Sequence, residues 1–390
     1  MTPSDCAATV KWESDQSQAT LHWGTDESVG TAVSSTAVDG MHQVVLSDLA
    51  PSTRYYYRVD DGGTGTVQSF ITGGDAQTPF KFIVVGDTRN NPAILRGLLE
   101  LAETYAPDFM IQLGDFVDNG GDQDQWDAYW DALSVISPRL PIAPTMGNHE
   151  FVFGRSRFER YFDNVMASGE TAGRYTFVYG NTLFIMVDIS QSYADGSDQQ
   201  AWVETQLADA QDAPGIAHVV VMSHYSSYSA ANHGSDLSTK RYRNSLSPLF
   251  EQYDITAHFG SHDHNYQRNV VNDVTYFVTG GGGADLYSLD DEPWSIAQAK
   301  LHHFLLVEVV GELVTVTAVG TDGAVIDTWS VTENYGTDET GEPWPSVCDA
   351  IPGDDDDDDT TPPDDDDDTA PPDDDDDDTG GCGRSTSIFL

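Results

Sequence analysis

The sequence predicts an α/β protein: two β-sheets face to face with helices outside, preceded by a small all-β domain and followed by an acidic tail. Three observations carry this prediction. Residues 7–72 hold short apolar or β-branched runs with turn residues between them. From Phe80 onward, apolar strand-like runs alternate with helical segments and end in a β-rich stretch. Beyond about Pro345 the hydrophobic pattern stops and Asp blocks begin. The 390 residues have room for two or more domains, and 39% hydrophobic content supports ordinary cores. No apolar run approaches the ~20 residues of a membrane helix, so no membrane span is expected in this chain.

The first domain is expected over residues 1–73. Thr9–Trp12, Ala19–Gly24 and His42–Leu46 read as strands, as do the segment from Leu49 to Val59 and a last run from Thr66 to Thr72. The pattern Leu49-x-Pro51-x-Thr53-x-Tyr55-x-Tyr57-x-Val59 resembles a fibronectin type III sandwich, of the kind found ahead of the catalytic domain in purple acid phosphatase-like proteins. The usual first strand reads as short or missing, which predicts an exposed sheet edge and a truncated start. No basic n-region followed by an apolar h-region is visible, so no signal peptide is read here. Packing, surface attachment or shading of a site entrance is expected of this domain, and catalysis is not.

A linker is expected over residues 74–79, entered through Gly73-Gly74-Asp75-Ala76, and a second domain over 80–335. Phe82–Val85 and Phe109–Leu113 are predicted strands. Pro92–Tyr105 is a helix with proline in its first turn, and Asp124–Ile136 is an aromatic-faced helix. Further strands are predicted at Tyr175–Tyr179, Leu183–Val187, Ala217–Met222, Thr256–Phe259, Tyr276–Thr279, Phe304–Val309, Leu313–Val319 and Val325–Ser330. Gln199–Gln211 and Tyr242–Tyr253 are predicted helices.

The chemistry is concentrated around Ala257–Tyr266, where His262 and His264 follow an apolar run. Imidazole is a common ligand for divalent transition metals. Four upstream segments strengthen that reading: Gly86-Asp87, Gly114-Asp115, Gly147-Asn148-His149-Glu150 and Val221-Met222-Ser223-His224. Each has Gly or Ser just before the candidate ligand. This is the pattern of strand ends meeting on one sheet edge, where α/β folds place their sites.

These five blocks, in this order, resemble the calcineurin-like metallophosphoesterases, most closely their purple acid phosphatase-like branch, over roughly residues 80–330. The resemblance implies a four-layer αββα sandwich. It also implies a binuclear metal-dependent hydrolase of phosphate monoesters, with diesters and nucleotides as wider alternatives. In that family two metals supply the hydroxide and clamp the phosphate. Carried over by position, Asp115 bridges them, Asn148, His224 and His262 complete one shell, and Asp87 and His264 serve the other. His149 faces the substrate, to stabilise the phosphoryl group or protonate the leaving oxygen, with Glu150 orienting it. His233, in the loop after His224, faces phosphate or is an ordinary exposed loop histidine.

Two departures from the family pattern stand out. Arg89 occupies the place of a histidine two residues after the first Asp. Asp118 occupies the place of the colour-giving tyrosinate three residues after the bridging Asp. A divalent or mixed-valence pair of Fe, Zn or Mn is therefore expected, without purple colour. Asp118 is a further candidate ligand, and Arg89 is expected to contact phosphate or Asp118. Ser261 replaces a usual glycine at no expected cost. Thr279–Ala284 reads as a tight glycine-rich turn beside the pocket, and not as a nucleotide cradle. His22, His42, His218, His258, His302 and His303 are read as structural.

Net charge is −48, which argues against nucleic-acid binding through phosphates. Asp354–Asp359, Asp364–Asp368 and Asp373–Asp378 supply 17 of the 65 acidic residues, so residues 1–353 still carry 48 acids against 16 basic residues. Ordinary solubility explains such a surface, as would a saline or calcium-rich exterior. An exit segment (336–353), an extended Asp-rich linker (354–379) and a Cys-containing stub (380–390) are expected. The stub resembles the start of bacterial C-terminal sorting signals, which points to an extracellular or cell-surface bacterial protein attached through its tail. A frayed end is the alternative. Cys6, Cys348 and Cys382 have no metal-like spacing, and a Cys6–Cys348 disulfide is one option in an oxidising compartment. Against the hydrolase stands a non-catalytic surface or matrix binding protein on a degenerate scaffold, with Ca²⁺ held by the acidic tail. A regulatory protein phosphatase is weaker, because no regulator-binding helix is apparent and the acidic surface would repel phosphoproteins.

Overall fold

The computed structural model describes residues 6–162, 173–332 and 386–389. The first domain contains β1 (Ala8–Glu13), β2 (Gln18–Gly24), β3 (Thr31–Thr36), β4 (Met41–Leu46), β5 (Arg54–Asp60) and β6 (Gln68–Ile71). The second begins with β7 (Phe80–Val85), α1 (Pro92–Glu103), β8 (Phe109–Leu113), α2 (Gln123–Leu133), β9 (Ile142–Thr145), α3 (Asn148–Phe153) and α4 (Arg155–Phe162). It continues with β10 (Tyr175–Tyr179), β11 (Thr182–Val187), α5 (Asp198–Gln211), β12 (His218–Tyr225), α6 (Leu237–Gln252), β13 (Ala257–Ser261), β14 (Tyr266–Val271) and β15 (Val274–Thr279). Then come β16 (Ser295–Ala299), β17 (His303–Val310), β18 (Leu313–Gly320), β19 (Val325–Thr332) and β20 (Thr386–Phe389).

Two sheets form the second domain: β10-β11-β12-β13-β15-β14-β16 and β19-β18-β17-β7-β8-β9. The period of two along each central strand explains the layering. Phe184 and Met186 point from β11 into the core between the sheets, whereas Leu183, Ile185 and Val187 point outward into a second core with Val203 and Leu207 of α5 and Leu246 and Phe250 of α6. Aromatic rings stitch the two sheets together: Phe82 meets Phe184 edge-on at 5.2 Å, and Phe277 meets Trp329 at 5.6 Å. On the far side of the six-stranded sheet, α1 buries Leu95, Leu98, Leu99 and Ala102, one stripe at helical spacing. The result is the four-layer α/β/β/α arrangement.

The first domain packs β3-β2-β5-β6 against β1 and β4 over Val10, Trp12, Leu21, Tyr57 and Phe70. All six residues of β1 are buried, including Lys11 and Glu13. Their side is covered by the second domain, where Lys11 Nζ donates to the Arg160 carbonyl at 2.6 Å and Arg160 pairs with Glu13 at 2.6 Å. Tyr57 adds a hydrogen bond to the Pro138 carbonyl at 2.7 Å.

Several expectations are corrected. The open edge expected at the first strand is covered: β20 pairs antiparallel with β1, Thr9 opposite Phe389 and Trp12 opposite Thr386. Thus four residues of the expected stub are part of a sheet. The Asp-rich linker 354–379 lies outside the described residues, as do 336–353, Cys348 and Cys382. Cys6 is disulfide-bonded. Helix α6 starts at Leu237 and not at Tyr242, because its first turn is polar and shows no apolar period. Strand β14 went unread because its inward-facing residues are Gln267 and Asn269, fully buried and bonded to the 228–230 loop. Strand β9 was hidden by Pro144, which is tolerated because β9 ends its sheet.

Candidate metal centre

Strands β7, β8 and β9 run parallel in one sheet, and β11, β12, β13 and β15 run parallel in the other. Their carboxyl ends deliver Asp87, Asp115, Asn148, His224, His262 and His264 to a common edge. Three of these residues adopt positive φ: Asp87 at 53°, Asp115 at 51° and His262 at 71°. Such backbone is unfavourable by ~1–3 kcal/mol per residue and persists only where surroundings enforce it. Here the chain enforces it by cross-links. The Asp87 N–H donates to the Gly114 carbonyl at 3.2 Å, the His262 N–H to Asp87 Oδ2 at 2.8 Å, and the His149 N–H to Asp115 Oδ1 at 3.1 Å.

His224 is fully buried, and its Nδ1 lies 2.8 Å from the Leu113 carbonyl. A carbonyl only accepts, so the proton sits on Nδ1 and the Nε2 lone pair faces the site. That lone pair lies 3.0 Å from Asn148 Oδ1, 3.1 Å from His262 Nδ1 and 3.4 Å from Asp115 Oδ1. Burial first, and then the neighbouring His224, hold His262 well below its ordinary pKa, so it too presents a neutral imidazole. Four atoms able to ligate a metal thus gather around one point. The donor set, mixed imidazole, amide and carboxylate, suits one divalent transition ion. Asp115, His224 and His262 form a metal-capable cluster.

The Asp87 side is arranged differently. His264 donates Nδ1–H to the Asp285 carbonyl at 2.7 Å, stacks on Tyr287 at 4.0 Å, and turns Nε2 toward Asp87 Oδ1 at 3.4 Å. Arg89 enters this space. Its guanidinium is 2.5 Å from Asp118 Oδ1, 3.4 Å from His264 Nε2 and 3.6 Å from Asp115 Oδ2. The candidate ligand Asp118 is therefore engaged by Arg89, with about half of its side chain exposed. A cavity of about 410 Å³ opens beside this pair, walled by Leu95, Phe116, Val117 and Tyr129.

His149 stands at the mouth, its Nδ1 donating to the Asp118 carbonyl at 2.5 Å and its Nε2 3.7 Å from Asp115 Oδ2. Glu150 does not orient it, contrary to expectation. Its buried carboxylate accepts the N–H groups of Asp115 (2.9 Å), Phe116 (2.8 Å) and Gly147 (3.0 Å). Burial, and then the Asp115 charge, push Glu150 up to about 8 against the pull of those donors. It is a clamp between two ligand-bearing loops. His233 stacks on His262 at 4.0 Å and bonds Asp236 at 2.7 Å, so the structure brings it to the site rim.

Sequence reasoning missed three contributors. Asp263 is buried and holds the His233 loop, accepting from Ser229 Oγ at 2.6 Å and the His233 N–H at 3.0 Å. Ser261 Oγ donates to the Leu113 carbonyl at 2.6 Å and touches His224 Nδ1 at 3.1 Å. Tyr287 supplies the stacking surface under His264. Asp263, between the two histidines, was the most findable. The glycine-rich turn packs tightly beneath Asp87: a Cβ on Gly280 would sit 2.7 Å from Asp87 Oδ2. The histidines read as structural lie outside the metal-capable clusters. His42 is stacked on Trp12, His218 and His302 are bonded to carbonyls, and His258 and His303 are buried against hydroxyls.

A model of the calcineurin-like phosphoesterase family matches residues 80–266, and a model of the purple acid phosphatase N-terminal domain matches residues 2–72. Among curated relatives, a probable inactive purple acid phosphatase 1 of Arabidopsis thaliana is 25% identical over 359 residues, covering 76% of this chain and 58% of that protein. Purple acid phosphatase 23 of the same plant is 25% identical over 296 residues, 64% of each chain. Acid phosphatase type 7 of Danio rerio is 25% identical over 259 residues, 58% of this chain and 57% of that protein. The chain thus spans between half and two thirds of these relatives' length. In structure it is similar to purple acid phosphatase PPD1 of yellow lupin seeds, with TM-score 0.72 at 16% identity over 89% of this chain and 76% of that one. It also resembles PhoD, with TM-score 0.59 at 14% identity over 88% of each chain.

Proposed function

Since the chain belongs to the calcineurin-like phosphoesterases, in the branch that carries a purple acid phosphatase N-terminal domain, we propose that it hydrolyses small phosphate monoesters in a metal-dependent reaction. The single observation that carries this reading is the convergence of His224 Nε2, Asn148 Oδ1, His262 Nδ1 and Asp115 Oδ1, with His149 just outside the cluster. The fold family implies a binuclear centre, and these four atoms fit one ion of it. Asn148, His224, His262 and Asp115 would hold a divalent ion there, which would supply Lewis-acid activation of water and stabilise charge on the phosphoryl oxygens.

The chain's own residues do the rest. The Asp118 carbonyl fixes the His149 ring with its Nε2 toward the reacting phosphate, where a protonated ring neutralises phosphoryl charge or donates to the leaving oxygen. His233, held by Asp263 and Asp236, closes the opposite rim. Arg89 faces the phosphate from the third side with a permanent positive charge. The neighbouring cavity is within the size range of small-ligand pockets, and its apolar walls accommodate the organic part of the ester. Fe, Zn or Mn satisfies the donors, and with Asp118 in place of a tyrosine no charge-transfer colour is expected. Work outside the cell, with the tail as attachment, is supported by the disulfide at Cys6.

The test is to reload chelator-treated protein with Fe, Zn or Mn and follow an aryl phosphate, an alkyl monoester and a diester. Turnover that disappears with EDTA and falls at least tenfold in His149→Ala supports the reading. Metal-loaded protein that turns over none of the three defeats it and leaves the non-catalytic binding protein, which the Arg89 intrusion into the site favours.

A further inference from the structure

We propose that this site works with one metal ion, and that the Arg89 guanidinium occupies the place and supplies the charge of the second. The inference rests on the reading of the site as a metal centre and concerns how that centre is filled.

A second ion would need lone pairs from His264 Nε2, Asp87 and the outer oxygen of Asp115. Two of these three are already directed at Arg89. His264 is locked with its proton on Nδ1 by the Asp285 carbonyl, so the lone pair on Nε2 is the acceptor that Arg89 Nη2 approaches at 3.4 Å. Asp115 Oδ2 faces Arg89 Nε at 3.6 Å. Asp87 keeps a single donor for an ion, because its Oδ2 accepts the His262 N–H at 2.8 Å; its buried Oδ1, like Asp115 Oδ2 and Arg89 Nε, makes no hydrogen bond. An ion bound by His264 would sit about 2 Å from Nε2, inside the space that the guanidinium approaches and against its like charge.

The guanidinium is not a loose surface group that an arriving ion would push aside. Its side chain is 13% exposed, and its free end is anchored by the charge-assisted bond to Asp118 Oδ1 at 2.5 Å. Unlike lysine, arginine cannot deprotonate to relieve crowding with a metal. The charges also balance: Asp87, Asp115 and Asp118 carry three negative charges, which one divalent ion and Arg89 match. Asp118, standing where a ligand for a second ion is expected, has become the partner of the residue that replaces that ion. The two departures from the family pattern are therefore one device.

The test is metal content per chain on the full protein, stripped and reloaded with Mn²⁺ or Zn²⁺, desalted, and measured by plasma mass spectrometry. Wild type is expected to retain about one ion per chain, and its Mn²⁺ form to show the six-line electron-spin signal of an isolated ion. Arg89→His supplies an imidazole ligand and removes the guanidinium, and is expected to rise to about two ions with a spin-coupled signal. Circular dichroism and melting temperature confirm that the variant is folded, and Arg89→Ala, which vacates the same space without a new ligand, serves if it is not. Two tightly held, spin-coupled ions in wild type overturn the proposal while leaving the phosphoesterase reading intact. No retained ion in wild type removes both. One ion in wild type with no gain in either folded variant shows that Arg89 does not exclude a second ion, and also overturns the proposal.

Discussion

Replacing Gly147 by alanine adds a single methyl group at the most crowded point of the metal site. The backbone there is extended, with φ −91° and ψ 173°, so alanine's conformational preferences are not the obstacle. Contact is. A Cβ at this position would lie 2.2 Å from the Asp115 nitrogen and 2.3 Å from Asp115 Oδ1, where ordinary contact begins at 3.4 Å. Neither atom can rotate away, since the nitrogen is backbone and Oδ1 is held by the His149 N–H. The Asp115 and Asn148 loops must therefore separate by about 1 Å, a misplacement that costs on the order of 10²-fold where reacting groups need alignment. Overpacking adds ~1–3 kcal/mol, or a melting temperature lower by about 2–10 °C. Gly97→Ala is the control. It makes the same chemical change in the exposed middle of α1, where a Cβ meets nothing within 4 Å, and should stabilise by ~0.5–1 kcal/mol. Melting curves, equilibrium dialysis against Zn²⁺ and aryl phosphate hydrolysis read all three effects. A Gly147→Ala protein with wild-type melting and wild-type metal affinity would refute the claim that the Asp115 and Asn148 loops are in fixed contact.

Two further outcomes follow from buried groups near the site. His258 is fully buried, and burial pushes its pKa from 6.5 down to about 3. The unfolded chain gains its proton below pH 6.5 while the folded chain does not until about pH 3, so stability is complete above 6.5 and falls as pH drops through that window. At pH 4.5 the loss is about 2–3 kcal/mol; His258→Gln should flatten the urea-midpoint slope between pH 7 and 4.5 by that amount, and an unchanged slope would show that His258 protonates freely. Asp263→Asn weakens the clamp on Ser229 and the His233 N–H. Its expected signature is a several-fold rise in KM with unchanged metal content, reproduced by His233→Ala, and a fall in metal content would instead make Asp263 part of the ion's support.

The candidate ligands were legible because each is a local event. An apolar strand stops, a glycine or serine lets the backbone turn, and a donor residue follows, so Asp87, Asp115, Asn148, His224, His262 and His264 could be read without knowing which strands are neighbours. The two-layered β-core was equally legible, since β11 and β12 alternate between two apolar faces and only sandwiched strands do so. Strands β9 and β14 were not, because Pro144 and the buried Gln267 and Asn269 break the apolar signal, and only neighbouring chain explains why they are tolerated.

Local residue patterns therefore specify the candidate donor atoms and the sheets that carry them. How those atoms are shared is set by the packing of distant segments. Arg89 and His264 are 175 residues apart, and the contact that turns the second half of the site toward a guanidinium exists only after two sheets have packed. The same holds for Glu150, which clamps backbone instead of orienting His149, for Ser261, whose hydroxyl fastens β13 to the end of β8, and for the β1 edge, closed by residues 386–389. Strand ends are written locally, in runs of a few residues. Partnerships between them arise from distant segments, and residue type alone does not say which donor will meet which acceptor.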